Sequence, residues 1–372
     1  LLSVSASMAK QSRVLPLTSG SLRCTREDGT VETGEWLLKN SLIGTHWVVS
    51  AIEHPSVLEC FSEIERLGGE VTFVDPDHRG IILPKAVERA LRPNTVFVSI
   101  GLGNSEIGTI QPLAQIARVI HKAASVFAST AKQSRVSPRT PGLLRFARKD
   151  EKQGVGEWPR ITFHTDAGQG VLYRPLQVHS LGVDLLTLDS GKLYGPRGVG
   201  ALFIGRDVEI APVMYGGKQE RGLRPGTENV ALVAGFAAAF VHVASERVSE
   251  AKRLQKLRDD FAHEIIARIP CVMVNGGDVH GSHSHVMPHI LNISIPDINS
   301  EYLVLALDHA GIALSTKSAC REGEASRSHV VEALGGESWR ARNTLRLSLG
   351  RSTTVEELRK TMSVLLSQLT HD

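Results

Sequence analysis

The stretch THWVVSAIEHPSVLECFSEIERLGGEVTFVD (Thr45–Asp75) decides the fold. Its β-branched, apolar start, Thr45–Ala51, has the length of a buried strand. Pro55 then opens a helix that runs to about Leu67, at a position where a missing N–H costs nothing. Glu70–Asp75 returns to strand. Strand, helix and strand in so short a span suit parallel neighbours, which need a crossover connection.

The same alternation continues on both sides of a central interruption. PKAVERAL (Pro84–Leu91) reads as helix, TVFVSI (Thr95–Ile100) as strand, and PLAQIARVIHKA (Pro112–Ala123) as an amphipathic helix. ITFHTDA (Ile161–Ala167), VDLLTL (Val183–Leu188) and GALFIG (Gly200–Gly205) supply three more strands. From Glu228 the pattern turns helical, through ALVAGFAAAFVHVA and SEAKRLQKLRDDFAHEIIARI. Strands near Val272–Asn275, Ile290–Ile295 and Thr344–Ser348 then form a smaller α/β unit. The expected fold class is α/β, with a mostly parallel layered sheet in a large domain at 44–227 and a smaller C-terminal domain at 228–372.

One repeat lies outside this alternation. Ser3–Trp36 aligns without gaps on Ser125–Trp158, so that SVSASMAKQSRVLPLTSG returns as SVFASTAKQSRVSPRTPG. Distant copies do not make a solenoid, which needs adjacent stacking units. Both are rich in Ser, Arg, Lys and Gly, which predicts loop or disorder outside the cores, and 125–158 reads as an insertion.

The 372 residues are 42% hydrophobic and 22% charged, with a formal net charge of +3. That balance is ordinary for a globular protein and gives no argument for nucleic acid. No apolar run reads as a membrane span, and LLSVSASMAK lacks the basic and apolar regions of a signal peptide. Four cysteines without a CxxC pair do not make a disulfide framework, and a reducing, cytoplasmic setting is expected. Cys60 and Cys271 read as buried packing thiols. The histidines of HGSHSHVMPH (His280–His289) lack interleaved Cys or acidic ligands, so no metal site is assigned.

The chemistry concentrates in TLDSGKLYGPRGVGALF (Thr187–Phe203), where Lys192 follows a strand and precedes a Gly-Pro turn. Turns after strands are where α/β sheets place ligands, and a lysine there can capture an aldehyde cofactor. Asp166 closes another strand, where an unpaired buried carboxylate would be costly. Gln169 follows it, and His54 follows the first strand of the decisive stretch.

SAIEHPSVLE, GNSEIGTIQP, HTDAGQG, KLYGPRGVGAL, GGKQERGLRPGTEN, STKSAC and RNTLRLSLGRSTT occur in this order over about Gly44–Leu369. The chain therefore resembles the cysteine desulfurases and selenocysteine lyases, aminotransferase class V enzymes of pyridoxal-phosphate fold type I. The resemblance implies pyridoxal 5'-phosphate as cofactor and L-cysteine, or L-selenocysteine, as substrate. It implies His54 stacked on the cofactor ring, Asp166 at the ring nitrogen, Gln169 at the ring hydroxyl and Lys192 as the Schiff-base lysine. Thr227 matches a residue reaching the cofactor phosphate of a neighbouring subunit, which implies a homodimer. Cys320 matches the catalytic cysteine that becomes a persulfide, with Arg321 beside it to favour the thiolate. Arg346 matches the arginine that grips the substrate carboxylate. An iron–sulfur scaffold or thiolation pathway is the implied sulfur acceptor.

The chain departs from the family pattern around the lysine, where Asp189, Ser190 and Gly191 stand for the usual Ser-x-His. Ser190 is expected to compensate as a cofactor contact, with Asp189 pointing elsewhere. Asn104 and Ser105 replace a pair of asparagines, with Asn104 kept as a cofactor contact. Residues 1–43 carry the first repeat copy where the family has a phosphate-holding loop. A homologue that holds no cofactor remains the alternative.

Overall fold

The computed structural model describes residues 24–25, 31–32, 42–134, 160–277, 285–316 and 327–369. Cys24–Thr25 (β1) and Val31–Glu32 (β2) pair antiparallel inside the first repeat copy, where loop was expected. The intervening Asp28-Gly29 is a hairpin signal in the sequence.

Beyond the hairpin, the decisive stretch folds as read. His46–Ser50 (β3) is wholly buried, Pro55–Arg66 (α1) follows it, and Glu70–Val74 (β4) pairs parallel to β3. Pro84–Ala90 (α2) and Thr95–Ser99 (β5) come next, with β5 on the other side of β3. Leu113–Ser134 (α3) runs eleven residues beyond the expected end at Ala123. Ile116, Ile120, Ala123, Ala124 and Phe127 continue one helical face onto the core, so the second repeat copy begins inside a packed helix. This corrects the placement of 125–158 wholly outside the cores.

Thr162–Asp166 (β6), the short helix Val178–Leu181 (α4), Leu185–Asp189 (β7) and Gly200–Ile204 (β8) complete a six-stranded sheet in the order β4-β3-β5-β6-β7-β8. Only β8 is antiparallel to its neighbour. Two buried histidines stitch the sheet across its strands. His46 bonds Thr95 and Thr72, each at 2.8 Å, and His164 bonds Ser99 and Thr187, each at 2.9 Å. Burial pushes them down to about 4 and about 3, which leaves both neutral.

A single 39-residue helix follows, Val230–Arg268 (α5), and its Phe236 and Val243 pack with Val171, Leu172, Tyr173 and Leu193. Its C-terminal half packs Phe261, Ala262 and Ile265 on Met273–Asn275 (β9), Ile290–Ser294 (β10) and Thr344–Ser348 (β11), an antiparallel sheet in the order β11-β10-β9. Ser300–His309 (α6) and Val355–Leu369 (α9) complete that core. His329–Ala333 (α7) and Trp339–Arg342 (α8) do not respect the boundary expected at 228: Val330, Val331, Leu334 and Ala341 join the core of the large sheet.

The N-terminal half of α5 departs from expectation too. It holds an 18-residue window long and apolar enough to cross a membrane, where no such run was read, yet only 11% of that window is buried. Val230, Val241 and Val248 are 74%, 68% and 83% exposed. This is a face without cover among the described residues.

Candidate active site

Parallel strands bring their C-terminal ends to one edge, and the sheet reverses its strand order between β3 and β5. A crevice at such a switch point is where α/β sheets bind ligands. His54 lies just past β3, as the N-cap of α1. Its Nδ1 accepts the Ser56 N–H at 3.2 Å, which leaves the proton of the neutral ring on Nε2. Burial pushes its pKa down, with Asp166 pulling the other way and Lys192 and Glu106 also within electrostatic reach.

Asp166 ends β6, and its Oδ1 accepts the Gly168 N–H at 2.8 Å. Burial raises its pKa, opposed by that bond, His54 and Lys192. Lys192 is exposed, in the 3-10 turn Ser190–Leu193 that follows β7. Asp189 caps the turn by accepting the Gly191 N–H at 2.8 Å, so its carboxylate is engaged with the turn itself. His54, Asp166 and Lys192 are thus gathered from three strand ends.

Gln169, three residues after Asp166, has its Oε1 3.4 Å from His289 Nε2. His289 packs its ring 4.6 Å from Tyr173 and is pushed down to about 3 by burial, then by Arg258 and Arg346. Arg346 reaches over from β11 and donates through Nη1 to the Ser105 carbonyl at 3.2 Å. Burial lowers its pKa, and Glu106 opposes this.

Two expected contacts, Ser190 and Asn104, are placed differently. Ser190 is fully buried, and a Cβ on Gly195 would meet its Oγ at 2.4 Å, so the hydroxyl lies under the turn instead of facing the crevice. Asn104 uses its amide to shape a loop: Oδ1 accepts the Glu106 and Ile107 N–H groups at 2.8 and 3.0 Å, and Nδ2 donates to Ile52. Thr227 is on an exposed stretch before α5. Cys320 and Arg321, like His280 and His283, lie outside the described residues. Cys271 is exposed, in a left-handed conformation at φ 58°, and Cys60 is half-buried with Sγ donating to the Ser56 carbonyl, so neither is a buried thiol.

Two buried acids escaped sequence reasoning. Glu53, 5% exposed, accepts the Gly101 N–H at 2.5 Å and is pushed up to about 8 by burial, with Asp166 adding to the shift. Glu106, 2% exposed, accepts the Ser328 hydroxyl at 2.6 Å. Both sit inside quoted strings, IEHP and SEIG, where a charged residue among apolar ones was the available signal.

The fold and this set of residues at the strand ends define a class V aminotransferase architecture. The sequence model of the aminotransferase class-V family matches residues 34–138 and 157–360, and the chain belongs to that family. Its relatives there are cysteine desulfurases. The cysteine desulfurase IscS of Dictyoglomus turgidum is 36% identical over 322 residues, spanning 87% of this chain and 71% of that protein. Among solved structures, a NifS-like protein superposes with a TM-score of 0.70 at 27% identity, covering 88% of this chain and 75% of the other. SspA in complex with cysteine superposes with a TM-score of 0.59, also at 27% identity, covering 85% and 76%. The break at 139–156 in the family match falls within the second repeat copy.

Proposed function

We propose that the chain removes sulfur from L-cysteine, giving L-alanine and a persulfide on Cys320, with pyridoxal phosphate as cofactor. The observation that carries this reading is the gathering of His54, Asp166 and Lys192 at three strand ends around the switch point. These residues fit the ring of the cofactor, because a buried carboxylate, an imidazole and a free-standing amine are the groups it needs. Bound there, the cofactor supplies an electron sink that labilises bonds of an amine substrate.

The residues of the chain do the rest. Asp166 would hold the ring nitrogen, Gln169 the ring hydroxyl, and the neutral His54 would lie against a ring face. Lys192 would hold the aldehyde group of the cofactor and supply a base beside the substrate. Arg346 grips the substrate carboxylate through its planar fork. The Cys320 thiolate attacks the substrate sulfur: an S–S bond forms as the substrate C–S bond breaks, and the carbon left behind takes up protons to become L-alanine. Arg321 favours the thiolate. A second copy of the chain covers the apolar face of α5 and exchanges Thr227 between sites. The persulfide then supplies iron–sulfur or thiolation acceptors.

Peptide mapping after incubation with pyridoxal phosphate and L-cysteine tests this. One added sulfur on Cys320, matched by L-alanine, is expected, and Cys320→Ala is expected to keep the cofactor and lose both. A sulfur carried by Cys60 or Cys271 in its place would overturn the reading.

A further inference from the structure

The loop after β5 carries a ring of contacts that the reaction described above leaves unassigned. Asn104 fixes the turn through its side chain, and Gly108, at φ +76°, closes it against Ile290. From this turn the Ser105 carbonyl accepts Arg346 Nη1 at 3.2 Å. The backbone of Arg346 pairs in both directions with Ser315, N–H to carbonyl, at 2.6 and 3.3 Å. The next residue of the turn, Glu106, accepts the Ser328 hydroxyl at 2.6 Å, and the same hydroxyl caps α7 by accepting the Val331 N–H at 3.1 Å. Glu106 and Ser328 are 2% and 1% exposed, so water does not compete for the bond.

Ser315 and Ser328 stand five residues before and eight residues after Cys320 in the chain. Both flanks of the cysteine-bearing stretch are therefore tied to one turn, through Arg346 on one side and Glu106 on the other. We infer that Glu106 is a positioning residue for sulfur transfer, holding Ser328 and the start of α7 in register with the substrate-binding Arg346. This inference rests on Cys320 being the sulfur acceptor.

A carboxylate accepting a hydroxyl gives a stronger bond than a neutral amide does. Glu106→Gln keeps the shape and weakens the tie, and Ser328→Ala removes it. Each is expected to slow persulfide formation on Cys320 by about tenfold, the factor equal to about 1.4 kcal/mol. The KM for L-cysteine is expected to stay within about twofold, because Arg346 keeps its bond to Ser105. The double variant is expected to be no slower than the slower single variant, since both break one contact. Amide exchange at residues 329–333, read without cofactor or substrate, is expected to speed up in the same variants.

Faster exchange with unchanged persulfide formation would make the bond a structural latch and overturn the proposal. Equal loss in KM and kcat, or additive losses in the double variant, would overturn it as well. If the unmodified chain forms no persulfide on Cys320, the reading of the reaction itself fails and this inference falls with it.

Discussion

The buried interior of the six-stranded sheet and its β8 end are built to different standards. Along β3 and β5 every residue is buried, whereas along β8 none is. Phe163 on β6 has no exposure, and Phe203 on β8 is 38% exposed. The interior has helices and a continuous apolar cluster against it; β8, like the opposite end strand β4, is largely open. The candidate site straddles the two. Glu53, His54 and Asp166 follow interior strands, so their positions are held by packing that the chain supplies itself. Lys192 and Ser190 follow β7, next to the β8 end. On the proposed function, the groups that would meet the cofactor ring are therefore largely held by the chain's own packing.

Core truncations sharpen the contrast most. Phe163→Ala is expected to cost about 3–5 kcal/mol, since it removes a fully buried ring and leaves a cavity. Phe203→Ala is expected to cost less than about 1 kcal/mol. Urea midpoints read both. Equal costs would mean that the interior and the β8 end are equally covered and would break the comparison.

A smaller effect comes from the titrating groups of the interior strands. Glu53 is raised from 4.5 to about 8, so across that window the folded chain keeps a proton that the unfolded chain releases. Stability therefore falls as pH rises from about 4.5 to 8, by on the order of a few kcal/mol. Glu53→Gln is expected to remove this slope. His46 and His164 act on the acid side, because the unfolded chain takes up protons below about 6.5 that the folded chain refuses. Stability falls there as pH drops towards 3. Unfolding curves at a series of pH values check both slopes, and an alkaline slope that persists in the Gln variant would assign it to another group.

The buried interior was also the more legible part. β-branched runs, Pro at a helix start and an acid at a strand end are local signals, and they placed β3, α1, β5, β6 and Asp166 from the sequence. The continuation of α3 through Phe127 was hidden by the Ser- and Lys-rich repeat around it, whose polar residues occupy the outer face. Asn104 and Ser190 were assigned by motif position, and tertiary packing decided otherwise: one closes a loop and the other lies under a turn. Glu53 and Glu106 were in view, but only folding reveals that an acid has been carried into a core. The antiparallel β8 and the bare face of α5 follow from contacts between distant segments, which periodicity does not encode.

Titration of residues 1–372 with pyridoxal phosphate, followed by borohydride trapping and peptide mapping, tests the central claim most directly. Phosphate is held in such folds by convergent amides and hydroxyls, each charge-assisted bond worth roughly 1.5–3 kcal/mol. Asp189 and Ser190 are both turned into their own turn. Lacking two or three such bonds weakens binding by about two to several orders of magnitude. The expected result is a visible absorbance that saturates only above micromolar cofactor, with the trapped adduct on Lys192 and none in Lys192→Ala. Sub-micromolar saturation, or an adduct on another lysine, would contradict a site that is built on one side of the sheet and unsupported on the other.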